Sequence, residues 1–219
     1  MIKAAISWSG GKDSCAAYHR ARADFNIVCA LTMFNGEGTR SRSHGLRPEI
    51  LDAQVARLGI YPLAQRCEWA TYDEAFDRGL ADAVKLGVTH VIFGDIMFPE
   101  HRQWAERRCA DRGLTAVEPL WKLSTTELYR DFLALGATAR IVTIRASELD
   151  ESFLGRELSE DLLPELIARG VDPCGERGEY HTVVTSCPAF SHPLRVRAVG
   201  RATNSGCIAE DLVLDEAAP

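Results

Sequence analysis

From Lys3 to Gly113 the chain alternates short β-branched runs with helical patterns, and this alternation constrains the fold more than any other feature. Strand patterns lie at Lys3–Trp8, Ile27–Phe34, Ile60–Ala64 and Thr89–Phe93. The first helix follows a Ser/Gly loop and runs to about Ala23. The second spans Pro48–Leu58, with Ile50, Leu51, Val55 and Leu58 on one face. Tyr72, Phe76, Leu80, Ala83 and Val84 mark a third, closed by Gly87, and Pro99–Asp111 a fourth, closed by Gly113. Strand and helix repeating in units of roughly 30 residues predict a Rossmann-like parallel sheet with helices on both faces.

The pattern changes after Pro119. Ser124 can cap a helix carrying Leu128, Phe132 and Leu135, Arg140–Ile144 reads as a strand, and Leu158–Arg169 as a helix. Tyr180–Thr185, Leu194–Ala202 and Cys207–Leu214 read as antiparallel strands with turns at Pro188, Pro193 and Asn204-Ser205-Gly206. The expected organisation is an α/β domain over 1–121 and a smaller α+β domain over 122–219. No Gly-, Pro- or Ser-rich linker separates them, so firm packing is expected.

Composition removes several functional classes. The 219 residues are 46% hydrophobic and 26% charged, the balance of a globular protein. A net charge of −6 supplies no field for DNA or an anionic membrane. The seven cysteines form no CxxC and several lie in apolar runs, which suits reduced core thiols. With no signal-peptide pattern and no apolar run of membrane-spanning length, the expectation is a cytoplasmic protein.

The segment Ser7-Trp8-Ser9-Gly10-Gly11-Lys12-Asp13-Ser14 follows the first strand and opens the first helix. Two glycines allow close approach to a phosphate, and the helix N-terminus aims N–H groups and partial positive charge at it. Ser9 and Ser14 add hydroxyls, and Lys12 a cation. It is not a Walker loop, because Ile6 stands where that motif has its first Gly and Asp13 where it has Ser or Thr. Asp13 would repel phosphate on its own, which implies Mg²⁺ or a structural role for its carboxylate.

Ser9-Gly10-Gly11-Lys12-Asp13-Ser14 resembles the SGGxDS signature of PP-loop ATP pyrophosphatases, which cleave ATP between the α and β phosphates. Two further segments resemble the LGRxL and GExGE(F/Y)xT motifs of the diphthine–ammonia ligase family. These are Leu154-Gly155-Arg156-Glu157-Leu158 and Gly175-Glu176-Arg177-Gly178-Glu179-Tyr180-His181-Thr182. The resemblance implies an adenine nucleotide alpha hydrolase-like first domain that binds ATP, and a second domain closing over the site. It implies adenylation of a substrate carboxylate, then attack by ammonia or an amine. Two departures stand out. Tyr72-Asp73-Glu74-Ala75-Phe76 replaces an acidic E-D-L-Y stretch. Glu100-His101-Arg102-Gln103-Trp104-Ala105-Glu106 keeps only Arg102 and Glu106 of a Y-Q-R-x-R-x-E run. ATP chemistry therefore carries over better than diphthine as acceptor.

On this reading Ser9, Gly10, Gly11, Lys12, Asp13 and Ser14 bind the nucleotide, with Gly94 and Asp95 at the end of a central strand. Asp13 is the candidate Mg²⁺ ligand. Lys12, Asp13, Glu176 and Glu179 are the expected catalytic groups, the two glutamates serving the acceptor step. Arg102, Arg156, Gly175, Gly178 and His181 are expected at the substrate. Cys174, His181, Cys187 and His192 form a C-x6-H-x5-C-x4-H series that fits no standard zinc spacing. Cys15 reads as a core residue of the first helix. The rival classes are a non-catalytic adenine-nucleotide sensor and a PP-loop tRNA-modifying enzyme; the charge and the missing CxxC weigh against the latter. A homodimer stays open.

Overall fold

A computed structural model describes residues 1–215; the last four residues of the expected second domain lie outside the described residues. Five strands, β1 (Ile2–Ser7), β2 (Phe25–Phe34), β3 (Tyr61–Arg66), β4 (His90–Ile92) and β5 (Thr115–Val117), form a sheet in the order β3-β2-β1-β4-β5. All of its pairings are parallel. Helices α1 (Lys12–Ala21), α2 (Pro48–Leu58), α3 (Tyr72–Lys85) and α4 (Pro99–Ala110) supply the crossovers. Alternation along β1 divides the core. Ala4 and Ile6 face a cluster with α1 and α2, while Ala5 faces Phe76 and Leu80 of α3 and Ala105 and Cys109 of α4. Helices therefore cover both faces, as the alternation predicts.

The helix ends follow local chemistry. Pro48 and Pro99 occupy first turns, where a missing N–H costs nothing, and Gly59 closes α2 at φ 68°. Ser124 caps α5 (Thr125–Ala134), accepting from the Glu127 N–H at 3.4 Å.

The second sheet is antiparallel, in the order β7-β6-β9-β8, from β6 (Thr138–Arg145), β7 (Tyr180–Ser186), β8 (Val196–Asn204) and β9 (Cys207–Leu214). Ser205 and Gly206, both with positive φ, make the β8–β9 turn. Ile141, Val183 and Val184 of this sheet share one continuous core with Ile6 of β1, Trp8 just beyond it and Ile50 of α2, so the halves do pack firmly.

Two elements differ from expectation. The edge strand β5 has only three residues, too few to display a period. The helix expected from Leu158 begins instead at Leu162, as α6 (Leu162–Ala168). Glu157 bridges Arg140, and the Leu158 N–H donates to the Ala139 carbonyl at 2.9 Å. Pairing to the flank of β6 holds that segment extended against its helical pattern.

Candidate active site

The strand order reverses between β1 and β4, and in such sheets ligands bind beyond the carboxyl ends of the strands at that point. A cavity of about 500 Å³ opens there, within the range of small-molecule sites. Ser7 and Ser9 reach it from the end of β1, Lys12, Asp13 and Ser14 from the first turn of α1, and Gly94 and Asp95 from the end of β4. The turn before β7 closes the far wall with Cys174, Gly175, Glu176 and Gly178, followed by Tyr180, His181 and Thr182 of β7 itself.

The loop from Ser9 to Ser14 is held from behind. Gly10 has φ +83°, and its carbonyl accepts from Gln54 Nε2 at 3.1 Å and from the Val184 N–H at 2.9 Å. The Lys12 N–H donates to Thr182 Oγ1 at 3.1 Å, which ties the start of α1 to β7. Ser14 Oγ donates to the Gly11 carbonyl at 3.0 Å. The N-cap of α1 is Gly11, which has no side chain to satisfy the helix N–H groups. Gly94 brings the end of β4 against this turn: a Cβ there would stand 3.0 Å from Ser14 N. The arrangement suits a bound anion.

The electrostatics around that loop are mixed. Lys12 is 4% exposed and donates to Asp13 at 2.8 Å and to the Cys174 carbonyl. Burial opposes its charge, but Asp13 and the neighbouring Tyr180 and Cys174 outweigh burial and hold it protonated. Desolvation pushes the Asp13 carboxyl up, against the pull of Lys12. Desolvation pushes Glu176 up to about 8, with repulsion from Asp13, Asp95 and Asp172 added. Asp95 pairs with His101 Nδ1 at 3.3 Å, and that hydrogen bond raises the imidazole above its ordinary range. Asp13, Asp95 and Glu176 thus converge on one cavity. Among the described residues their oxygens do not draw together into a preformed ligand cluster, so carboxylates are a donor type that suits a hard divalent cation here without a ready-made cage for one.

The remaining walls are flat and aromatic. His44 and His181 stack with centroids 4.8 Å apart, and desolvation lowers both; His181 falls to about 4, so both rings are neutral at pH 7. Across from them stand Trp69, Tyr72, Phe93 and Trp104. Tyr72 and Trp104 lie 5.8 Å apart, and Trp104 Nε1 donates to Asp73 at 2.9 Å. The Arg42 guanidinium lies 3.9 Å above the Trp69 ring.

Of the residues expected at the site, Ser9, Lys12, Asp13, Ser14, Gly94, Asp95, Gly175, Glu176, Gly178 and His181 line the cavity, with Gly10 and Gly11 shaping the loop. Besides these two glycines, three others do not line it. Glu179 is 3% exposed and accepts from the Asp172 N–H at 3.0 Å and the Arg177 N–H at 2.9 Å, so its carboxylate holds the turn rather than a ligand. Arg102 Nε bonds Glu106 at 2.8 Å and lies 3.3 Å from Glu118. Arg156 pairs with Glu165 at 2.7 and 2.6 Å and stacks over Phe153. Sequence reasoning missed Ser43, His44, Trp69, Trp104 and Thr182. Tyr72 carried a visible signal, but a Tyr72/Phe76/Leu80 pattern reads as a core face.

Comparison with known proteins gives one consistent answer. The family model for the diphthamide synthase N-terminal domain matches residues 2–116, and that for the diphthamide synthase C-terminal domain matches 124–213. A diphthine–ammonia ligase of Rattus norvegicus is 27% identical over 89% of this chain and 83% of its own. Its Bos taurus counterpart is 26% identical over 93% and 86%. The Schizosaccharomyces pombe protein of the same name is 27% identical over 83% of this chain, which spans 34% of that longer protein. A solved structure, of a predicted subunit of tRNA methyltransferase from Methanocaldococcus jannaschii, covers 85% of this chain and 98% of its own, with TM-score 0.43 and 14% identity. That likeness is too low to carry an argument.

Proposed function

The chain belongs to the diphthamide synthase family, and from that premise we propose that it is an ATP-dependent, AMP-forming ligase that makes an amide from a carboxylate and ammonia or an amine. The observation that carries the reading is the single cavity joining the Ser9–Ser14 loop to the Cys174–Glu176 turn.

A substrate carboxylate oxygen attacks the α-phosphorus of ATP, and pyrophosphate leaves. Ammonia then adds to the acyl carbon and AMP departs with the transferred oxygen. Gly10, Gly11 and Ser14 cradle the departing pyrophosphate, and Lys12 carries part of its developing charge. Asp13, with Asp95 across the cavity, would hold Mg²⁺, which when bound offsets the charge of the phosphates. Glu176, protonated near neutral pH when no cation is bound, sits where it can exchange a proton with the attacking amine. Gly175, Gly178 and His181 line the same wall and serve the acceptor side. The second domain, taken as 122–219 against 1–121, closes the wall and excludes water, which would otherwise hydrolyse the acyl-adenylate.

Arg102 and Arg156 are assigned no contact with substrate, because each is paired outside the cavity. Among the described residues no helix is long and apolar enough to cross a membrane. The test is a screen of carboxylates with ammonia and Mg-ATP, read as AMP, pyrophosphate and amide. ADP and orthophosphate as products would refute the reading, and nucleotide binding without turnover on any acceptor would favour a sensor. Diphthine-bearing translation factor belongs in the screen. The altered Glu100–Glu106 run leads us to expect that it is not the main acceptor.

A further inference from the structure

Cys15 and His19 stand one turn apart on α1, a spacing that places both side chains on one helix face. Cys187 follows the end of β7. Among the described residues these three form a cluster whose thiol sulfurs and a ring nitrogen all lie within 4.8 Å of one another. Cys15 is fully buried and Cys187 is 5% exposed. His19 Nε2 is also buried and has no hydrogen-bond partner. None of the three lines the active-site cavity.

We propose that Cys15, His19 and Cys187 form a site for a thiophilic divalent cation, Zn²⁺ in the first instance, that staples α1 to the end of β7. Two thiols and an imidazole are the donors Zn²⁺ prefers. From a Zn–S bond near 2.3 Å, the edge of a tetrahedral site is about 3.8 Å. With the shorter Zn–N bond the S···N edge is about 3.5 Å, so the donors need to close by about 1 Å, a distance on the scale of side-chain rotation. Binding releases both thiol protons, so two thiolates meet a 2+ ion and the buried assembly is neutral. No fourth His, Cys, Asp or Glu joins the cluster among the described residues, so the fourth position falls to water, reached from the half-buried His19 side.

The placement gives the site a structural purpose. Cys15 directly follows the phosphate loop, and β7 carries Thr182 and Val184, which bond Lys12 and Gly10. A staple at Cys187 would hold the loop against the second sheet independently of any nucleotide.

The test uses the full-length protein, freed of metal and reduced with a phosphine, titrated with Co²⁺ and then Zn²⁺. The expected result is one equivalent of Co²⁺ per chain with tetrahedral d–d and thiolate charge-transfer absorption, displaced by Zn²⁺. Zn²⁺ should also protect Cys15 and Cys187 from alkylation and raise the melting temperature. Cys187→Ser should abolish the charge-transfer bands, as should His19→Ala, a change at a half-buried position that the fold can absorb. Cys207→Ser should leave them intact. Folded, reduced protein that gives no such absorption would overturn the proposal, as would bands that survive Cys187→Ser or vanish with Cys207→Ser.

Discussion

Replacing Gln54 by Leu tests how the phosphate loop is held. Gln54 is fully buried on α2, and its amide reaches three places. Oε1 accepts from Trp8 Nε1 at 3.0 Å, while Nε2 donates to the Gly10 carbonyl at 3.1 Å and to the Val184 carbonyl at 2.7 Å. Leu keeps most of the volume, so the change removes polar contacts without opening a large cavity. The Gly10 carbonyl keeps the Val184 N–H at 2.9 Å, but no bond replaces the one at Trp8 Nε1. One orphaned buried donor costs about 1–3 kcal/mol, and each of the other two lost bonds about 0.5–1.5 kcal/mol. Such terms do not add fully, so the expected loss is about 2–4 kcal/mol, a large part of the roughly 5–15 kcal/mol that holds a domain folded. Gln54→Glu should cost more, because a carboxylate oxygen would then face two carbonyls. Urea unfolding followed by tryptophan fluorescence measures both. If the Leu variant stays within about 0.5 kcal/mol of the parent, or if Glu is tolerated better than Leu, the network does not hold the loop in the way described.

Three other perturbations follow from the same geometry. Lys12→Ala should cut turnover by roughly 10–150-fold, the equivalent of about 1.5–3 kcal/mol for charge-assisted contacts to phosphate; steady-state pyrophosphate release reads it, and unchanged turnover would remove Lys12 from the reaction. Glu176 has a folded pKa of about 8 against an ordinary 4.5, so between those values only the unfolded chain gives up its proton and stability falls as pH rises, levelling above about 8. Glu176→Gln should therefore melt higher than the parent near pH 9 and differ little near pH 4.5; a variant that gains nothing at high pH would show that burial and its acidic neighbours do not hold the Glu176 carboxyl up. Glu179→Gln puts an amide NH₂ where one of two backbone N–H groups needs an acceptor, so melting should show a loss of about 1–3 kcal/mol, and unaltered stability would return Glu179 to a chemical role.

The sequence by itself determined the first sheet and the Gly-rich Ser9–Ser14 turn that opens α1, because both are local. Alternating strand and helix patterns admit one handed way of building a parallel sheet, and Ser9–Ser14 carries its glycines, hydroxyls and lysine in one turn. The resemblance to the GExGE(F/Y)xT motif also brought Gly175, Glu176 and Gly178 into view. What only the tertiary structure decided is which side of each element faces the cavity. Glu176 and Glu179 lie three residues apart and look alike in sequence, yet one lines the cavity and the other bonds two backbone amides. Arg102 satisfies a motif but pairs with Glu106 on its own helix and sits beside Glu118. Tyr72, Trp104 and His44 come from separate segments, and no spacing links them before the sheet brings its strand ends together. Cys187 shows the same limit, since its partners lie about 170 residues away on α1. Local chemistry is written along the chain, whereas the choice of partner for a buried side chain depends on packing between segments far apart in it.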